Sequence, residues 1–263
     1  MTESAEGYAD GLRRRTGRRR EGGRKPAKKG GPLVFVRDLL IILLAAILIS
    51  FLIKTFLFRS FYIPSGSMEN TLQINDRIVV NELVPKVSSL KRGDVIVFTD
   101  PGGWLSGEGA PTVSTTSSNP VIAGIQWGLT QIGLGTQDSD NHLVKRVIGL
   151  PGDKVSCCNA SGQLEVNGVP ISEPYINVPA SKPADAFQYS VTVPKGDVWV
   201  LGDNRYNSAD SAYHYTKKDA TAFVPISDIV GKAEIITWPS AHWTSLSDYP
   251  QVFARVPAAS AAN

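Results

Sequence analysis

Two residues of this chain, one serine and one lysine, have the chemistry of a nucleophile and its general base. Ser67 lies in the turn-forming sequence Pro64-Ser65-Gly66-Ser67-Met68. A serine hydroxyl reacts only when a neighbouring base takes its proton, and a lysine amine can do so once it has lost its own proton. Lys145 lies in an apolar segment and is the candidate base, because burial disfavours the charged ammonium. The pair predicts acyl transfer, with a peptide bond as the group attacked.

The local sequence around each residue supports this chemistry without requiring it. Gly66 permits a sharp turn, so that backbone N–H groups and the Ser65 hydroxyl can bind an oxyanion. Residues 143, 145 and 147 would share one face of a strand, which predicts apolar surroundings for the lysine. Arg146 would then point the other way, towards a salt bridge or solvent. The simpler alternatives, a turn serine and a surface lysine, stay open on these residues alone.

The histidines and cysteines of the chain give weaker indications of a catalytic or metal site. None of the three histidines lies in a recognised triad neighbourhood, and no Gly-x-Ser-x-Gly sequence is present. Cys157 and Cys158 are the only cysteines and are adjacent. Two ligands alone do not make a zinc site, so no metal and no cofactor are expected. A vicinal disulfide is permitted outside the cytoplasm, but two free or partly buried thiols are the preferred interpretation.

An apolar run from Leu39 to Phe58 ends about nine residues before Ser67. It is about 20 residues long, and a helix of that length crosses a hydrocarbon core of about 30 Å. A cleaved secretory signal would have a shorter apolar core and a small-residue cleavage site, whereas Arg59-Ser60-Phe61-Tyr62 follows here. Residues 37–58 are therefore predicted to form a retained transmembrane helix.

The segment before this helix is basic. The chain has a net charge of +3, and residues 1–36 are rich in Arg, Lys and Gly, with almost no apolar side chains before Leu33. Basic residues stay on the cytoplasmic side of a membrane, so this tail is predicted to be cytoplasmic and disordered, and the rest extracytoplasmic. A nucleic-acid-binding arm is the alternative, but attraction to anionic lipid headgroups is the plainer interpretation beside a membrane span.

Residues 59–250 are predicted to form a mostly β extracytoplasmic catalytic domain. Short segments rich in β-branched and aromatic residues alternate with Gly, Pro and Asp, and no amphipathic helix of ordinary length is evident. A barrel or folded sheets are expected, because sheet edges must be closed or covered. Asn167-Gly168 predicts a hairpin. The predicted strands are residues 77–81, 94–98, 143–148, 189–193, 197–201 and 229–238.

Three regions depart from this pattern. Residues 101–141 form a long insertion rich in Pro, Gly, Ser and Thr, which is either an interfacial flap or a tolerated surface insertion. Trp238, Trp243 and Tyr249 predict either an aromatic patch at a membrane interface or core and cover residues. Residues 251–263 are predicted to be a loose tail.

Four sequence stretches extend the argument beyond the Ser–Lys pair. They are Pro64-Ser65-Gly66-Ser67-Met68 with Thr71-Leu72, Arg92-Gly93-Asp94-Val95-Ile96-Val97-Phe98, Lys145-Arg146-Val147-Ile148-Gly149-Leu150-Pro151-Gly152-Asp153, and Gly202-Asp203-Asn204-Arg205-Tyr206-Asn207-Ser208-Ala209-Asp210-Ser211. In this order, behind an N-terminal anchor, they resemble bacterial signal peptidase I, a serine peptidase of family S26 with a Ser–Lys dyad. The resemblance extends over nearly the whole outer domain.

This resemblance implies a mostly β enzyme, anchored in the cell membrane, that removes signal peptides from exported preproteins. Ser67 would be the nucleophile and Lys145 the general base. The Ser67 amide and the Ser65 hydroxyl would bind the oxyanion. Expected partners are secretory preproteins and the lipid bilayer, and not nucleic acid.

The resemblance also implies supporting and substrate-binding residues. Ser208 would orient the Lys145 amine, and Asp210 and Arg146 would brace the site. Shallow apolar pockets would accept small residues at the −1 and −3 positions of a substrate bound as an extended strand. These pockets would be lined by Phe61, Ile63, Met68, Leu72, Leu143 and Val144.

Three positions differ from the family pattern. Asn70 stands where the family usually has Pro, which predicts a less rigid turn. Tyr206 replaces a common Asp. Ala212 stands where an Arg often pairs with the acid, which leaves the structural partner of Asp210 open. None of the three removes a reacting group.

Two other functions fit parts of the sequence. A self-cleaving repressor also uses a Ser–Lys pair, but the anchor and the absence of a DNA-binding helical region count against it. An anchored extracytoplasmic β-domain with a binding or scaffolding role would need the serine and lysine only as structural residues. Reactivity of Ser67 towards an acylating probe would separate this scaffold from an enzyme.

Overall fold

The computed structural model describes residues 32–56, 58–105, 141–218 and 221–259. Predictions for the tail up to residue 31 and for residues 106–140 of the insertion lie outside these residues. The chain separates into two compact units, Met1–Ala45 and Ala46–Asn263. All the strands belong to the second unit.

Helix α1 runs from Pro32 to Phe56 and has 25 residues. A proline is well placed at the start of a helix, where its missing N–H would have no partner. Residues 32–36, expected to belong to the disordered tail, are therefore helical. Across the four described ranges, no helix meets both the length and the apolar character that a membrane crossing requires.

The second unit is mostly β, as predicted. Its strands are β1 (Phe58–Tyr62), β2 (Arg77–Asn81), β3 (Val95–Thr99), β4 (His142–Gly149), β5 (Lys154–Cys157), β6 (Glu165–Val166), β7 (Val169–Pro170), β8 (Tyr189–Thr192), β9 (Asp197–Leu201), β10 (Val224–Pro225), β11 (Ile229–Trp238) and β12 (Thr244–Ser245). Short helices are α2 (Leu83–Lys86), α3 (Ser211–Lys217) and α4 (Pro250–Phe253). Single 3₁₀ turns are formed by Gly66–Met68, Ile226–Asp228 and Ser240–His242.

These strands form two antiparallel sheets. The larger has eight strands in the order β1-β2-β11-β3-β4-β9-β10, with β12 paired to β11. The smaller has the order β7-β6-β5-β8. Strand β4 is central in the larger sheet, with Lys145 opposite Ile96 on β3 and Arg146 opposite Leu201 on β9. A residue on β4 is thus held from both sides by backbone hydrogen bonds, which is suitable for a reactive side chain.

Most strand predictions are confirmed. Strands β2, β9 and β11 have the predicted bounds, and β3, β4 and β8 differ by one residue at one or both ends. Asn167 and Gly168 form the turn between β6 and β7 with φ of 52° and 76°, the positive values that this hairpin turn requires. Strand β1 was not predicted, because Phe58 was assigned to the end of the apolar helix. It pairs with β2 along its whole length.

The two cysteines differ from expectation. Cys157, the last residue of β5, is joined to Cys158 by a disulfide. The vicinal disulfide, the less favoured alternative, is therefore present, and the preferred interpretation of two free or partly buried thiols is wrong.

The end of the described chain is packed against the domain. Phe253 and Val256 are buried. The carbonyl of Pro257 accepts hydrogen bonds from the side chains of Arg92 and Asn167, both at 3.1 Å. The predicted loose tail is wrong for the residues up to Pro257, because its sparse apolar side chains contribute to the core.

Candidate active site

The predicted nucleophile and base lie in contact. Lys145 Nζ is 2.7 Å from Ser67 Oγ, within hydrogen-bonding range although the two residues are 78 positions apart in sequence. Lys145 is only 3% exposed, as its apolar segment predicts. Burial favours the neutral form of an amine, which is the form that can accept a proton.

The turn that carries Ser67 is anchored to the core. Gly66–Met68 form a 3₁₀ turn, and the Met68 side chain is buried in the same cluster as Leu72 and Phe61. The Met68 carbonyl accepts the N–H groups of Thr71 and Leu72 at 3.0 and 2.8 Å. The hydroxyl of Ser67 is therefore presented from a compact loop rather than from a free end.

Ser65, the predicted second oxyanion donor, lies beside the nucleophile. Its Oγ is 3.4 Å from Ser67 Oγ, and the residue is exposed. A hydroxyl at this position can rotate towards an oxygen that develops charge above Ser67. The distance fits the predicted role, which stays a prediction.

Gly202 brings a second loop against the nucleophile. A Cβ atom on Gly202 would lie 2.5 Å from the Ser67 carbonyl oxygen and would collide with the Ser208 side chain. Glycine is thus required for the close approach of the two loops. Ser208, predicted to orient the Lys145 amine, lies at this contact, but its buried hydroxyl has no hydrogen-bond partner within the described residues. Its role stays a prediction.

Arg146 is fully buried in an ion pair with Asp203. Its guanidinium donates to both carboxylate oxygens, with Nη2 2.7 Å from Oδ2 and Nε 2.9 Å from Oδ1. It also packs over the Tyr175 ring, 4.1 Å from the centroid. Burial lowers the pKa of this guanidinium, but the Asp203 carboxylate, together with Tyr175 and Tyr249, has the larger combined effect, so the pKa is raised. Of the two predicted orientations, salt bridge or solvent, the structure has the salt bridge.

Asp203 connects this ion pair to the loop of the nucleophile. Its carboxylate accepts the hydroxyl of Thr71, and its backbone N–H lies 3.4 Å from the Met68 sulfur. Met68 is the last residue of the turn that carries Ser67, and Thr71 follows it closely in the chain. Arg146 is therefore connected to this turn through Asp203, and its bracing role stays a prediction.

Asp210 has backbone partners in place of the absent arginine. Its carboxylate accepts the N–H of Gly202 at 2.9 Å and those of Ala212 and Tyr213 at 3.1 and 3.4 Å. The last two bonds cap the N-terminus of α3, where a carboxylate is favoured. The partners of the Asp210 carboxylate are therefore three backbone N–H groups, and Ala212 takes part only through its backbone.

Asn70 and Tyr206 both attach the active-site loops to residues 176–185. The Asn70 side chain donates to the carbonyl of Ile176 at 2.9 Å, and the Tyr206 hydroxyl lies 3.2 Å from the Pro183 carbonyl and 3.4 Å from that of Asp185. Asn70 has a φ of 83°, which proline cannot adopt. The turn was expected to be less rigid without proline, but this expectation did not include the hydrogen bond from Asn70 to Ile176.

The six predicted substrate-binding residues divide into two groups. Four are almost completely buried in one core cluster, namely Phe61, Ile63, Met68 and Leu72. Leu143 and Val144 are partly buried and lie on β4 beside Lys145. Of the six, Leu143 and Val144 are therefore the ones that keep part of their apolar surface accessible, and a pocket-lining role for all six stays a prediction.

A buried carboxyl group near this site was not anticipated. Asp185 is 2% exposed and accepts the N–H of Phe187 and the hydroxyl of Tyr189, both at 3.1 Å. Burial, followed by the charge of Asp210, raises its pKa to about 7, against the opposing effect of Arg205.

Asp185 is expected to make the protein less stable as the pH rises. Its pKa of about 7 lies above the ordinary value of 3.8, so between these values the folded protein holds the proton more tightly than the unfolded chain does. The contribution of Asp185 to the free energy of unfolding therefore declines as the pH rises from 3.8 to about 7, and it is fully unfavourable at higher pH. Asp185→Asn, which keeps the shape and stays neutral, should raise the melting temperature above pH 7 and flatten its decline. Parallel pH profiles of the two proteins would contradict this.

Comparisons with known proteins show the family to which the chain belongs. The family model described as "Signal peptidase, peptidase S26" matches residues 36–238. A protein named Signal peptidase I from Mycobacterium tuberculosis is 38% identical over 236 residues, covering 83% of this chain and 76% of its own. Another, from Bacillus amyloliquefaciens, is 32% identical over 220 residues, covering 78% and 95%.

A crystal structure of a signal peptidase I from Enterococcus faecalis is also similar. It has 25% sequence identity and a TM-score of 0.34, and the match covers 54% of this chain and 95% of that chain.

The chain belongs to the signal peptidase family, peptidase S26, because the family model matches more than half of its length. It is a hydrolase of the signal peptidase I type, like relatives that match it over most of its length. The family implies that secretory preproteins are its substrates and that it cleaves their signal peptides.

Proposed function

We propose that the chain is a membrane-anchored serine endopeptidase whose nucleophile is Ser67 and whose general base is Lys145. The observation that carries this proposal is the 2.7 Å contact between Lys145 Nζ and Ser67 Oγ. A lysine buried beside a serine hydroxyl has the position and the medium that a general base needs.

The reaction follows from this contact. The neutral Lys145 amine takes the proton of Ser67 as Oγ attacks the scissile carbonyl carbon. The Ser67 N–H and the Ser65 hydroxyl stabilise the resulting oxyanion. The lysine ammonium then gives the proton to the leaving amine, the peptide C–N bond breaks, and an ester to Ser67 remains. In the second half, the amine takes a proton from water as the water oxygen attacks the ester carbon. The ester C–O bond then breaks, the lysine ammonium returns the proton to Oγ, and the acid and the Ser67 hydroxyl are released.

The substrate is proposed to bind as an extended strand that places small side chains at −1 and −3 against the apolar surface. Leu143 and Val144 are the partly buried apolar residues of β4 nearest the base in sequence. An extended peptide gains main-chain hydrogen bonds from a neighbouring strand, and pockets for alternate side chains give specificity. Small residues fit a surface of this kind because larger ones would lift the scissile carbonyl away from Ser67.

Attachment to the cell membrane, with the N-terminus cytoplasmic and the catalytic domain outside, is supported by the sequence. The run from Leu39 to Phe58 is about 20 residues long and apolar except for Ser50, Lys54 and Thr55, and the segment before it is basic. Trp238 and Trp243 are 58% and 68% exposed, which favours an aromatic interface patch over core packing. Tyr249 instead covers Arg146, whose Cζ atom lies 5.4 Å from the centroid of the Tyr249 ring.

The test uses the full chain in liposomes and a model preprotein with an Ala-x-Ala cleavage site. Wild-type protein should release a product whose new N-terminus follows that site, and Ser67→Ala should release none. Ser172→Ala is the matched control, since Ser172 is exposed and should leave the rate unchanged. Cleavage by Ser67→Ala would refute the mechanism. A β-lactam-type acylating probe that labels wild type and not Ser67→Ala separates an enzyme from a scaffold.

The same liposomes test the anchor. The full chain should float with vesicles after treatment at alkaline pH, which removes peripheral proteins. Added protease should degrade the catalytic domain only where that domain lies outside the vesicle. A chain that stays at the bottom of the gradient would refute the anchor and leave the chemistry untouched.

A further inference from the structure

Asn204 contacts both peptide carbonyls that flank the Cα atom of Ser67. Its side-chain Nδ2 donates to the Gly66 carbonyl at 3.0 Å, and its backbone N–H donates to the Ser67 carbonyl at 3.0 Å. The residue is 8% exposed and lies in the loop after β9. No other side chain in the described ranges donates a hydrogen bond to either carbonyl.

The first of these bonds bears on the proposed oxyanion donor. The Gly66 carbonyl and the Ser67 N–H belong to one peptide unit, which is planar and trans, so they point in opposite directions. A donor that fixes the carbonyl therefore fixes the direction of the N–H. It also polarises the unit, because hydrogen bonds at the two ends of an amide strengthen one another.

The orientation of the Asn204 amide follows from its neighbours. Besides the Gly66 carbonyl, Nδ2 donates to the carboxylate of Glu69, with Oε2 at 3.0 Å. Both partners are pure acceptors, so the NH₂ group and not the amide oxygen must face them. Glu69 thus holds Asn204 in the rotamer that points at Gly66, and its own N–H adds a bond to the same carbonyl at 3.2 Å.

We infer that Asn204 is a positioning residue for the oxyanion site, acting through the Gly66–Ser67 peptide unit. The inference rests on the proposed function of Ser67. Asn204 itself touches neither the substrate nor the reacting atoms. Its amide aims the Ser67 N–H at the place where the tetrahedral oxygen develops charge, and its backbone N–H keeps the Ser67 carbonyl turned away from that place.

The test compares Asn204→Ala and Asn204→Asp with wild type in preprotein cleavage. Alanine removes the donor, and aspartate replaces it with an acceptor of the same size beside Glu69. Both should lower kcat by about 10- to 100-fold, less than complete loss of an oxyanion donor would. KM should change by no more than about twofold, because the interaction strengthens only in the transition state. Asn207→Ala is the matched control: Asn207 is exposed and makes no side-chain hydrogen bond within the described residues.

A second measurement distinguishes positioning from a merely structural role. A peptide aldehyde with the cleavage-site sequence forms a tetrahedral adduct with the serine, whereas the corresponding peptide alcohol binds without reacting. Affinity for the aldehyde should fall by the same factor as kcat/KM, and affinity for the alcohol should not change. Equal losses for both ligands, or a kcat within twofold of wild type, would overturn the inference. If the Asn204 inference fails but Ser67→Ala is inactive, the proposed function of Ser67 is unaffected.

Discussion

Replacing Lys145 with Met should abolish preprotein cleavage, lowering kcat by roughly 10³-fold or more, because removal of a base from a nucleophile–base unit disables the whole unit. Methionine nearly matches the length of lysine and suits a buried site, but it cannot take the proton of Ser67. The contact that is lost is the 2.7 Å hydrogen bond between Nζ and Oγ. Initial rates of cleavage, with labelling by the acylating probe, measure the effect.

Two controls make this result specific to the base. Lys154→Met alters an exposed lysine at the start of β5 and should cleave at the wild-type rate. The melting temperature of Lys145→Met should stay at or above that of wild type, since a buried polar group has been replaced by an apolar one. Cleavage by Lys145→Met at more than a few per cent of the wild-type rate would exclude lysine as the base.

The base also determines the direction of the pH dependence. Only the neutral amine accepts a proton, so the rate at saturating substrate should rise towards alkaline pH as the amine deprotonates. The stability contribution of Asp185 runs in the opposite direction, because its raised pKa makes the folded state weaker at higher pH. Activity and stability should therefore diverge as the pH rises. A rate that does not change with pH would contradict the lysine mechanism.

How far the sequence predicts this site depends on whether a feature is local. The strand around Lys145 and the turn around Ser67 were predictable, because apolar spacing and a glycine beside the serine are visible within a few residues. The role of Asn204 was not, because it consists of bonds to the Gly66 and Ser67 carbonyls from a loop far along the chain. The Gly202-Asp203-Asn204 stretch was noted only as part of a family resemblance.

Asn70 is a second residue whose contact with a distant segment could not be predicted from the sequence. Its replacement of a family proline suggested a looser turn, since sequence alone reveals the loss of a rigid ring. The structure compensates with a hydrogen bond to Ile176, which lies 106 residues later. The burial of Arg146 was likewise ambiguous, because alternation on a strand gives the direction of a side chain and not what meets it there. Contacts between distant segments, rather than local preference, account for what was missed.

Breaking the Arg146–Asp203 pair should cost more stability than any surface change. Asp203→Asn leaves a guanidinium that is 0% exposed beside a neutral amide, and removal of one partner of a buried pair costs about 3–5 kcal/mol in the free energy of unfolding. Urea denaturation followed by tryptophan fluorescence measures this loss. Activity should fall as well, because Asp203 also binds Thr71, three residues after the Met68 turn position that supports Ser67.

The origin of that cost can be tested with a second substitution. Adding Arg146→Met to Asp203→Asn removes the unpaired charge, so the double variant should regain much of the lost stability, and the two effects should be strongly non-additive. Lys86→Ala is the surface control: its ion pair with Glu82 involves a lysine that is 61% exposed, and such pairs contribute about 0–1 kcal/mol. If the double variant is no more stable than Asp203→Asn, the lost hydrogen bonds, from Thr71 to Asp203 and from Arg146 to the Gly93 and Ser247 carbonyls, outweigh the effect of the stranded charge. The double variant should regain less of its cleavage rate than of its stability. Methionine at position 146 fills the space, but it cannot donate the hydrogen bonds that Arg146 makes to the Gly93 and Ser247 carbonyls at 2.7 and 3.0 Å.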